Sequence, residues 1–333
     1  MTVDYIVKRV GMLLVVIVSA ISINFAIPRL MPGDPIQQKM DQMSAMGGAT
    51  GDVQGMVQEY RQKFGLDQPM WKQFFRYWGD LLQGDLGYSL SNYPQRVSSV
   101  ITGALPWTAG LLLTAILITF VLGILMGAVL AWPTAPRGLR GVVPVFLILH
   151  AVPYFLLGII LLFLLAVSVR VFPGGGGYSF GTALQFNLAS IADGLRHAVL
   201  PALSIVLAGI GGWALGMRGM MVSVLGEDYI NLAEAKGLRQ RRIFLWYGAR
   251  NAILPAMTSL AMSLGHIVTG AVLVEMIFAY PGIGHQLYRA IGAKDYTVIQ
   301  GIIVVLVVWL AVTLFIMDLL YPLIDPRITY RRR

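Results

Sequence analysis

The sequence predicts an all-α integral membrane protein with six transmembrane helices, and three observations support this fold class. Hydrophobic residues make up 57% of the 333 residues and charged residues only 12%, whereas a soluble domain carries about 25% charged residues. The charged residues lie between six long runs that contain none. Lys and Arg are also distributed unequally among the segments that join these runs.

The six uncharged runs are the predicted membrane spans. The shortest has 19 residues, and about 20 helical residues cross a hydrocarbon core of about 30 Å. The first run is too long for a typical signal peptide and no A-x-A cleavage site precedes its end, so we expect it to remain as a span. The runs cover residues 10–28, 97–136, 141–169, 197–217, 251–274 and 296–317.

The positive charges predict the orientation of the spans. With the N-terminus in the cytosol, the inside segments carry fourteen Lys and Arg residues and the two short outside loops carry four. Cytoplasmic segments of membrane proteins show this excess, so we expect both termini in the cytosol. The net charge of +9 then reflects topology and contact with anionic membrane lipid, and it does not indicate a nucleic-acid partner.

The spans divide the chain into three predicted parts. Residues 1–28 form an N-terminal segment and the first transmembrane helix. Residues 29–103 form one large extracytoplasmic loop between spans one and two. Residues 104–333 form a core of five helices, which includes a cytosolic loop at 218–254.

An amphipathic helix is predicted in the second half of the extracytoplasmic loop. Asp67 and Pro69 form a helix-start signal, and six apolar residues then repeat at helical spacing on one face. This face can rest on the outer lipid headgroups or dock an external partner; the spacing alone favours the lipid surface, and both can hold. The six residues are Trp71, Phe74, Phe75, Trp78, Leu81 and Leu82.

No catalytic, cofactor or metal site is predicted in the chain. Four glycines at 174–177 lack the Gly-Lys-Ser/Thr of a phosphate-binding loop, so we interpret them as a flexible outer turn. That motif is missing from the whole chain, so any ATP would be used by another subunit. Cysteine is absent, and the four histidines have no recognised ligand spacing. His150 and His266 fall within spans, where each is either a functional group or a neutral imidazole bonded to a neighbouring helix.

A polar, basic stretch at 229–255 interrupts the apolar runs. Arg239, Arg241 and Arg242 would each cost roughly 2.5–3.5 kcal/mol at a bilayer centre, so the stretch lies outside the membrane. Acidic residues precede a short predicted helix and basic residues follow it, which matches the helix dipole at both ends. Gly237 can adopt the left-handed conformation that ends a helix.

Two further features of this stretch bear on its use. Ala233 and Ala235 give the predicted helix a narrow profile, so that a partner surface can approach closely. Pro255 begins the fifth span at a position where its missing N–H is tolerated. A need for positive charge on the cytosolic side explains the arginines, but it does not explain a narrow helix that a glycine ends.

At these residues the chain resembles membrane subunits of ATP-binding-cassette importers, in the B-type branch of dipeptide, oligopeptide and nickel permeases. The general signature is E-A-A-x3-G-x9-I-x-L-P; here Gly237 fits, N-L-A fills the E-A-A positions, and the gap to the L-P pair is longer. The longer A-K-G…R-N-A-x-L-P form resembles the peptide and nickel branch. Six further motifs resemble that branch in the same order: PRLMPGDP (28–35), FGLDQPMWKQF (64–74), GDLGYSL (84–90), EMIFAYPGIG (275–284), KDYTVIQG (294–301) and DLLYPLIDPR (318–327).

The resemblance implies a translocation subunit in a bacterial or archaeal plasma membrane. The family pairs two similar six-span permeases around a central path, binds two cytosolic ATPases and receives substrate from an extracytoplasmic binding protein. ATP and magnesium would be bound by the ATPases. The permease itself would hold no cofactor and catalyse no reaction.

Three groups of residues take roles from the resemblance. The segment that couples to the ATPase would contain Asp228, Tyr229, Ala233, Glu234, Ala235, Lys236, Gly237, Arg239, Arg241 and Arg242. The outer gate and translocation path would include His266, Glu275, Phe278, Tyr280, Pro281, Gly282, Asp295 and Tyr296. The binding protein would dock near Trp71, Phe74, Phe75 and Trp78.

The substrate and two other classes of protein stay open at this point. We expect oligopeptides or dipeptides, with oligosaccharides as the alternative; opines are also served by this branch. Nickel is disfavoured because the spans contain no His or Met ligand set with suitable spacing. A secondary transporter that needs no ATPase would show intramembrane ionisable pairs or inverted repeats, and the sequence shows only isolated histidines. A membrane enzyme is disfavoured by the lack of a catalytic motif.

Overall fold

A computed structural model describes residues 3–30, 58, 67–133, 135–179, 181, 187–265, 267 and 272–324. Within these residues the chain is helical and contains no named β-strand. The α-helices are α1 (Val3–Leu30), α2 (Met70–Leu82), α3 (Val97–Ala131), α4 (Val142–Ala151), α5 (Tyr154–Leu161), α6 (Leu188–Leu225), α7 (Asp228–Ala235), α8 (Gln240–Arg242), α9 (Arg250–Ala252), α10 (Leu254–Gly265), α11 (Val272–Ile277), α12 (Ile283–Gly292) and α13 (Tyr296–Ile324). A 3-10 helix spans Arg137–Gly141, and π-helical segments span Leu162–Ser168 and Ile243–Ala249.

The long helices coincide with the predicted membrane spans. Among the described residues, α1, α3, α6 and α13 are long and apolar enough to cross a membrane, and α4 with α5 adds a fifth span if that bent pair counts as one. The remaining predicted run, 251–274, holds the shorter apolar helix α10. The all-helical membrane class is therefore confirmed, and the count of six spans stays a prediction.

The helices group into two compact units. The first consists of Met1–Pro106 and Ile283–Leu319, and the second of Trp107–Gly282 and Leu320–Arg333. The three parts predicted from the sequence are defined by their location relative to the membrane, whereas these two units are defined by contacts within the chain. The units therefore do not test the predicted parts, which stay a prediction.

In the first unit, α1 and α13 run antiparallel. Near one end, an Arg9 guanidinium nitrogen lies 2.8 Å from an Asp318 carboxylate oxygen. Towards the other end, the Asn24 side-chain amide donates to the Gln300 backbone carbonyl oxygen at 3.0 Å, and the Gln300 side-chain amide donates to the Asn24 backbone carbonyl oxygen at 2.9 Å. Each buried side-chain amide thus has a hydrogen-bond acceptor on the other helix, as polar groups within apolar helices need.

The first unit has its own apolar core around the start of α3. A Cβ atom on Gly301 would collide with Val97, so glycine lets α13 approach α3 closely. The buried residues of this core are Val97, Ile101, Ala104, Ile283, Ala290, Val298 and Ile302.

In the second unit, glycines bring α3 and α4 close to α6. A Cβ atom on Gly123 would collide with Trp213, and one on Gly127 would collide with Ala214. On α6, a Cβ atom on Gly211 would collide with the Phe146 carbonyl oxygen of α4. Small residues that allow backbones to approach are the usual basis of helix packing in membranes.

Candidate functional site

The polar stretch after α6 forms a short helix that a glycine ends. Asp228 lies in the first turn of α7, where a carboxylate is favourable to the helix dipole. Gly237 has φ of +70° and donates its N–H to the Glu234 carbonyl oxygen at 2.8 Å, which confirms the predicted left-handed stop. A Cβ atom on Gly237 would meet nothing within 4 Å, so the backbone conformation, and not lack of space, requires glycine there.

The inner face of α7 is held by the chain itself. Ile230, Ala233 and Ile243 are buried in one apolar cluster. We expected both alanines of α7 to give a partner close access, and Ala235 is indeed exposed. Ala233 is only 3% exposed, so its small side chain serves packing within the cluster instead. The side chains packed around the cluster are Trp132, Leu225, Leu238 and Tyr247.

The outer face of α7 and the turn after it form an exposed surface. The side chain of Tyr229 is 37% exposed and that of Leu232 is 55% exposed. Within the described part of the chain, no ion pair joins Arg239, Arg241 or Arg242 to a carboxylate. The surface therefore presents three arginines that are not in ion pairs among the described residues, beside two apolar side chains. Its other exposed members are Asp228, Glu234, Ala235, Lys236 and Gly237.

The chain then returns towards its apolar helices through α8, a π-helical segment and α9. Leu245 is 45% and Trp246 61% exposed, and the Arg250 guanidinium lies over the Trp246 ring at 5.7 Å. Exposed aromatic and cationic side chains together suit the level of lipid headgroups. Pro255 lies in the first turn of α10, as the sequence predicted.

The turn after α11 surrounds a buried carboxylate. Glu275 is fully buried and accepts a hydrogen bond from the Thr108 hydroxyl at 2.8 Å. A Cβ atom on Gly282 would collide with both groups, so glycine is needed for this approach. Phe278 and Tyr280 are also buried; burial raises the pKa of the Tyr280 hydroxyl to about 12, and the nearby Glu275 carboxylate adds to the rise.

The glycine-rich segment at 174–177 packs directly on this turn. The Gly176 N–H donates to the Phe278 carbonyl oxygen at 2.8 Å. A Cβ atom on Gly175 would lie 2.7 Å from that oxygen, and one on Gly177 would lie 2.7 Å from Pro281 Cγ. Our interpretation of these glycines as a flexible outer turn therefore missed their role, which is to let one backbone lie against another.

The predicted gate residues fall into different parts of the fold. Glu275, Phe278, Tyr280 and Gly282 come together in the second unit, with Pro281 half-buried beside them. Asp295 and Tyr296 belong to the first unit. His266 lies outside the described residues.

Asp295 has a structural environment that the sequence did not predict. It is 2% exposed and accepts hydrogen bonds from the Ser89 hydroxyl, from the N–H groups of Leu90 at 3.1 Å and Ser91 at 3.0 Å, and from the Val298 N–H at 3.2 Å. The carboxylate thus caps the start of α13 and fixes the loop at residues 89–91 of the same unit. The signal was present as an acidic residue directly before a long apolar run.

The helix predicted from Asp67 and Pro69 is α2, and it presents two different apolar surfaces. Phe74 and Tyr77 face α1, with ring centroids 5.3 Å and 5.4 Å from that of Phe25. Trp71 is 61% and Phe75 68% exposed, and Trp78 is half-buried. Of the four predicted docking residues, Phe74 therefore also packs within the chain, and the docking role of the set stays a prediction.

The described residues contain no group of three His, Asp or Glu side chains that could hold a metal ion. The features that remain are an anchored helix with an exposed cationic surface, apolar helices of membrane length, and two fixed turns. This combination fits a membrane protein that works through contact with other subunits.

Comparison with known proteins identifies the family. The family model described as binding-protein-dependent transport system inner membrane component matches residues 121–330. The chain belongs to this family. It is therefore a multi-pass permease subunit of an importer in the inner membrane, and not an enzyme.

Curated relatives of the permease match it over nearly its whole length. The oligopeptide transport system permease protein of Bacillus subtilis is 32% identical, covering 98% of this chain and 99% of that protein. The di/tripeptide transport system permease protein of Pseudomonas aeruginosa is 33% identical, covering 99% of both. A probable D,D-dipeptide transport system permease protein of Escherichia coli is 34% identical, covering 96% of both.

Proposed function

We propose that this permease is the translocation subunit of an ATP-driven importer for oligopeptides or dipeptides. The observation that carries the substrate class is end-to-end similarity to three permeases named for peptide transport. The oligosaccharide alternative has no comparable support in these relatives. The lack of intramembrane ion pairs between spans, apart from Arg9 with Asp318 at their ends, argues within the described residues against an ion-coupled transporter.

The surface formed by α7 and the arginines after it is the proposed contact with an ATPase. Its inner face is anchored by Ile230 and Ile243, which pack against Leu225 at the end of α6 and against Trp132. A movement of α7 would therefore be transmitted to the apolar helices through these contacts. Its outer face offers Tyr229, Leu232 and three arginines without carboxylate partners among the described residues. An acidic groove with an apolar floor would complement this surface.

Six spans with both termini in the cytosol form the proposed topology. Because α1 and α13 are antiparallel, an even number of spans must separate them if both cross the membrane. Helix α3, the bent pair α4 and α5, and α6 supply three, so α10 and the residues after it would supply the fourth. Without that crossing, α1 and α13 would have to be parallel.

The outer side of the permease has two proposed roles. The turn that holds Glu275 and Gly282, and separately the start of α13 at Asp295 and Tyr296, would contribute to the outer gate. The exposed stripe of Trp71 and Phe75 on α2, with the half-buried Trp78 beside it, would contact the extracytoplasmic binding protein. The whole transporter would also contain a second homologous permease and two ATPases, and those ATPases would bind ATP and magnesium.

Two measurements test this proposal. The extracytoplasmic binding protein that associates with the permease is purified, and mass spectrometry identifies its retained ligand; we expect peptides. The complete transporter is then reconstituted in vesicles, and uptake of that ligand is measured with and without ATP. A retained oligosaccharide would overturn the peptide assignment, and uptake by the permease alone without ATPases would overturn the importer mechanism.

A further inference from the structure

The third apolar run contains a sharp break. Helices Val142–Ala151 and Tyr154–Ser168, the second including its π-helical end, meet at 102° across Val152 and Pro153. Ten residues of α4 rise about 15 Å, which is half of a hydrocarbon core about 30 Å thick. The break also falls near the middle of the uncharged run 141–169. If α4 begins at the membrane surface, the break therefore lies at membrane depth.

The break removes a hydrogen bond that a continuous helix would make. The Val152 N–H donates to the Ile148 carbonyl oxygen at 3.2 Å, and the next residue, Pro153, has no N–H to give to the Leu149 carbonyl. A carbonyl without a donor in hydrocarbon costs several kcal/mol. Irregular backbone at membrane depth is accordingly found only where it is buried in protein or lines water. Lipid is thus an unfavourable neighbour for this break.

His150 brings an ionisable group to the same place. It occupies the last turn of α4 and is exposed in the isolated chain. On one side its ring lies against α6, where a Cβ atom on Gly212 would be 2.9 Å from the ring Cε1 and 3.1 Å from Nδ1. Glycine at 212 therefore makes room for the imidazole. An exposed imidazole at membrane depth is unfavourable to lipid, as is the nearby Leu149 carbonyl, which lacks its helical N–H donor.

We propose that His150 and the backbone break at Val152 and Pro153 line a water-filled part of the transport path and contact the solute as it passes. This inference rests on the proposed importer function. The Leu149 carbonyl accepts hydrogen bonds from peptide N–H or ammonium groups, and the imidazole can donate or accept. Water molecules can reorient to form hydrogen bonds with both the Leu149 carbonyl and the His150 imidazole. A second permease packed against the break would instead need polar groups placed opposite each of them. Water is therefore the favoured occupant.

Cysteine labelling tests this proposal, because the natural chain contains no cysteine. The variant His150→Cys and the control Ile148→Cys are placed separately in the complete transporter in membrane vesicles. Ile148 is on the same helix and is 64% exposed, about 200° around the axis from residue 150. Each variant is treated with a charged methanethiosulfonate reagent. We expect His150→Cys to react at least about tenfold faster, because only a hydrated cysteine forms the reactive thiolate readily.

Three measurements decide between these possibilities. Equal, slow labelling of both cysteines would overturn a water-filled path at residue 150. A short reagent with one thiol-reactive group and one photo-activated group that joins His150→Cys to the second permease in high yield would also overturn it and would assign the break to a subunit interface. Slower labelling of His150→Cys during ATP-driven turnover with peptide would support solute contact, and an unchanged rate would overturn that contact. Labelling in the resting transporter requires no transported solute, so its result is independent of whether peptide uptake fails.

Discussion

The Ser89 hydroxyl donates a hydrogen bond to the Asp295 carboxylate across a sequence separation of 206 residues. The same carboxylate accepts from three backbone N–H groups, two in the loop after Ser89 and one in the first turn of α13. Both residues are buried. Two of the motifs that resemble the peptide permeases, GDLGYSL and KDYTVIQG, are therefore parts of one hydrogen-bonded structure within the first unit.

Replacing Asp295 with Ala should destabilise the permease by about 2–4 kcal/mol, because a helix cap is lost and buried donors are left without an acceptor. Thermal unfolding of the purified transporter measures the change. Asp295→Asn keeps one carbonyl oxygen and should lose less. The control is Asp80→Asn, since the Asp80 side chain is 51% exposed. An unfolding temperature as high for D295A as for D80N would show that this network does not stabilise the fold.

Gly282→Ala should destabilise the turn after α11 by about 1–3 kcal/mol, because a new Cβ atom would collide with the buried Glu275 carboxylate and the Thr108 hydroxyl. The matched control is Gly292→Ala, where a Cβ atom would meet nothing within 4 Å. Unfolding temperatures of both variants are measured in the same detergent. If the two variants unfold at the same temperature, the carboxylate can move aside at no cost, contrary to our expectation.

Gly237→Val should leave the permease inserted but uncouple transport from ATP hydrolysis, because a β-branched residue resists the left-handed conformation by about 1–2 kcal/mol or more. Gly237→Asn is the control, since asparagine adopts that conformation more readily. Both side chains have room, because no atom lies within 4 Å of the added Cβ. ATP hydrolysis and uptake are compared in reconstituted vesicles. Normal uptake by the valine variant would contradict the prediction.

Reversing Arg241 and Arg242 together to Glu should weaken ATPase association by at least about tenfold, or about 1.4 kcal/mol, because like charges would then face an acidic groove. Co-purification of the ATPase, repeated at several salt concentrations, measures the change. The control reverses Arg218 and Arg250, which are also exposed and give the same change in net charge. If both double variants lost the same amount of bound ATPase, the effect would be due to the change in net charge and not to a specific contact of Arg241 and Arg242.

The two apolar surfaces of α2 should respond differently to alanine. Trp71→Ala with Phe75→Ala removes exposed rings, so stability should be kept while affinity for the binding protein falls about tenfold. Phe74→Ala removes a ring packed 5.3 Å from that of Phe25, so it should lower the unfolding temperature. Binding-protein affinity is measured on transporter in lipid nanodiscs. Unchanged affinity of the double variant would assign the exposed stripe to lipid alone.

Features with a local physical cause were predictable from the sequence. The long helices follow from uncharged runs, because hydrocarbon excludes charge. The start of α2 follows from Asp67 and Pro69, and the end of α7 from Gly237, because each residue acts on its own backbone.

Features that depend on distant residues were not predictable. The inward direction of Ala233 depends on Ile243, and the packing of the glycines at 174–177 depends on a turn about 100 residues later. The hydrogen bonds of Asp295 to a loop encoded far upstream were not predicted, because that loop is about 200 residues away in the sequence. The break after His150 was not predicted. An uninterrupted apolar run indicates that a segment can lie in hydrocarbon, but it does not show whether the helix is straight or bent.

The length of α6 has a consequence for how movement could spread. This helix has 38 residues, or about 57 Å at 1.5 Å per residue, and only Gly226 and Glu227 separate it from α7. It is therefore a single continuous rod that is longer than a bilayer with its headgroups is thick, about 40–45 Å. A displacement of the C-terminal end of α6, next to α7, would be carried along the helix to its N-terminal end, because no loop interrupts it. Pro201 is the one proline inside it, so bending of the rod would be concentrated there.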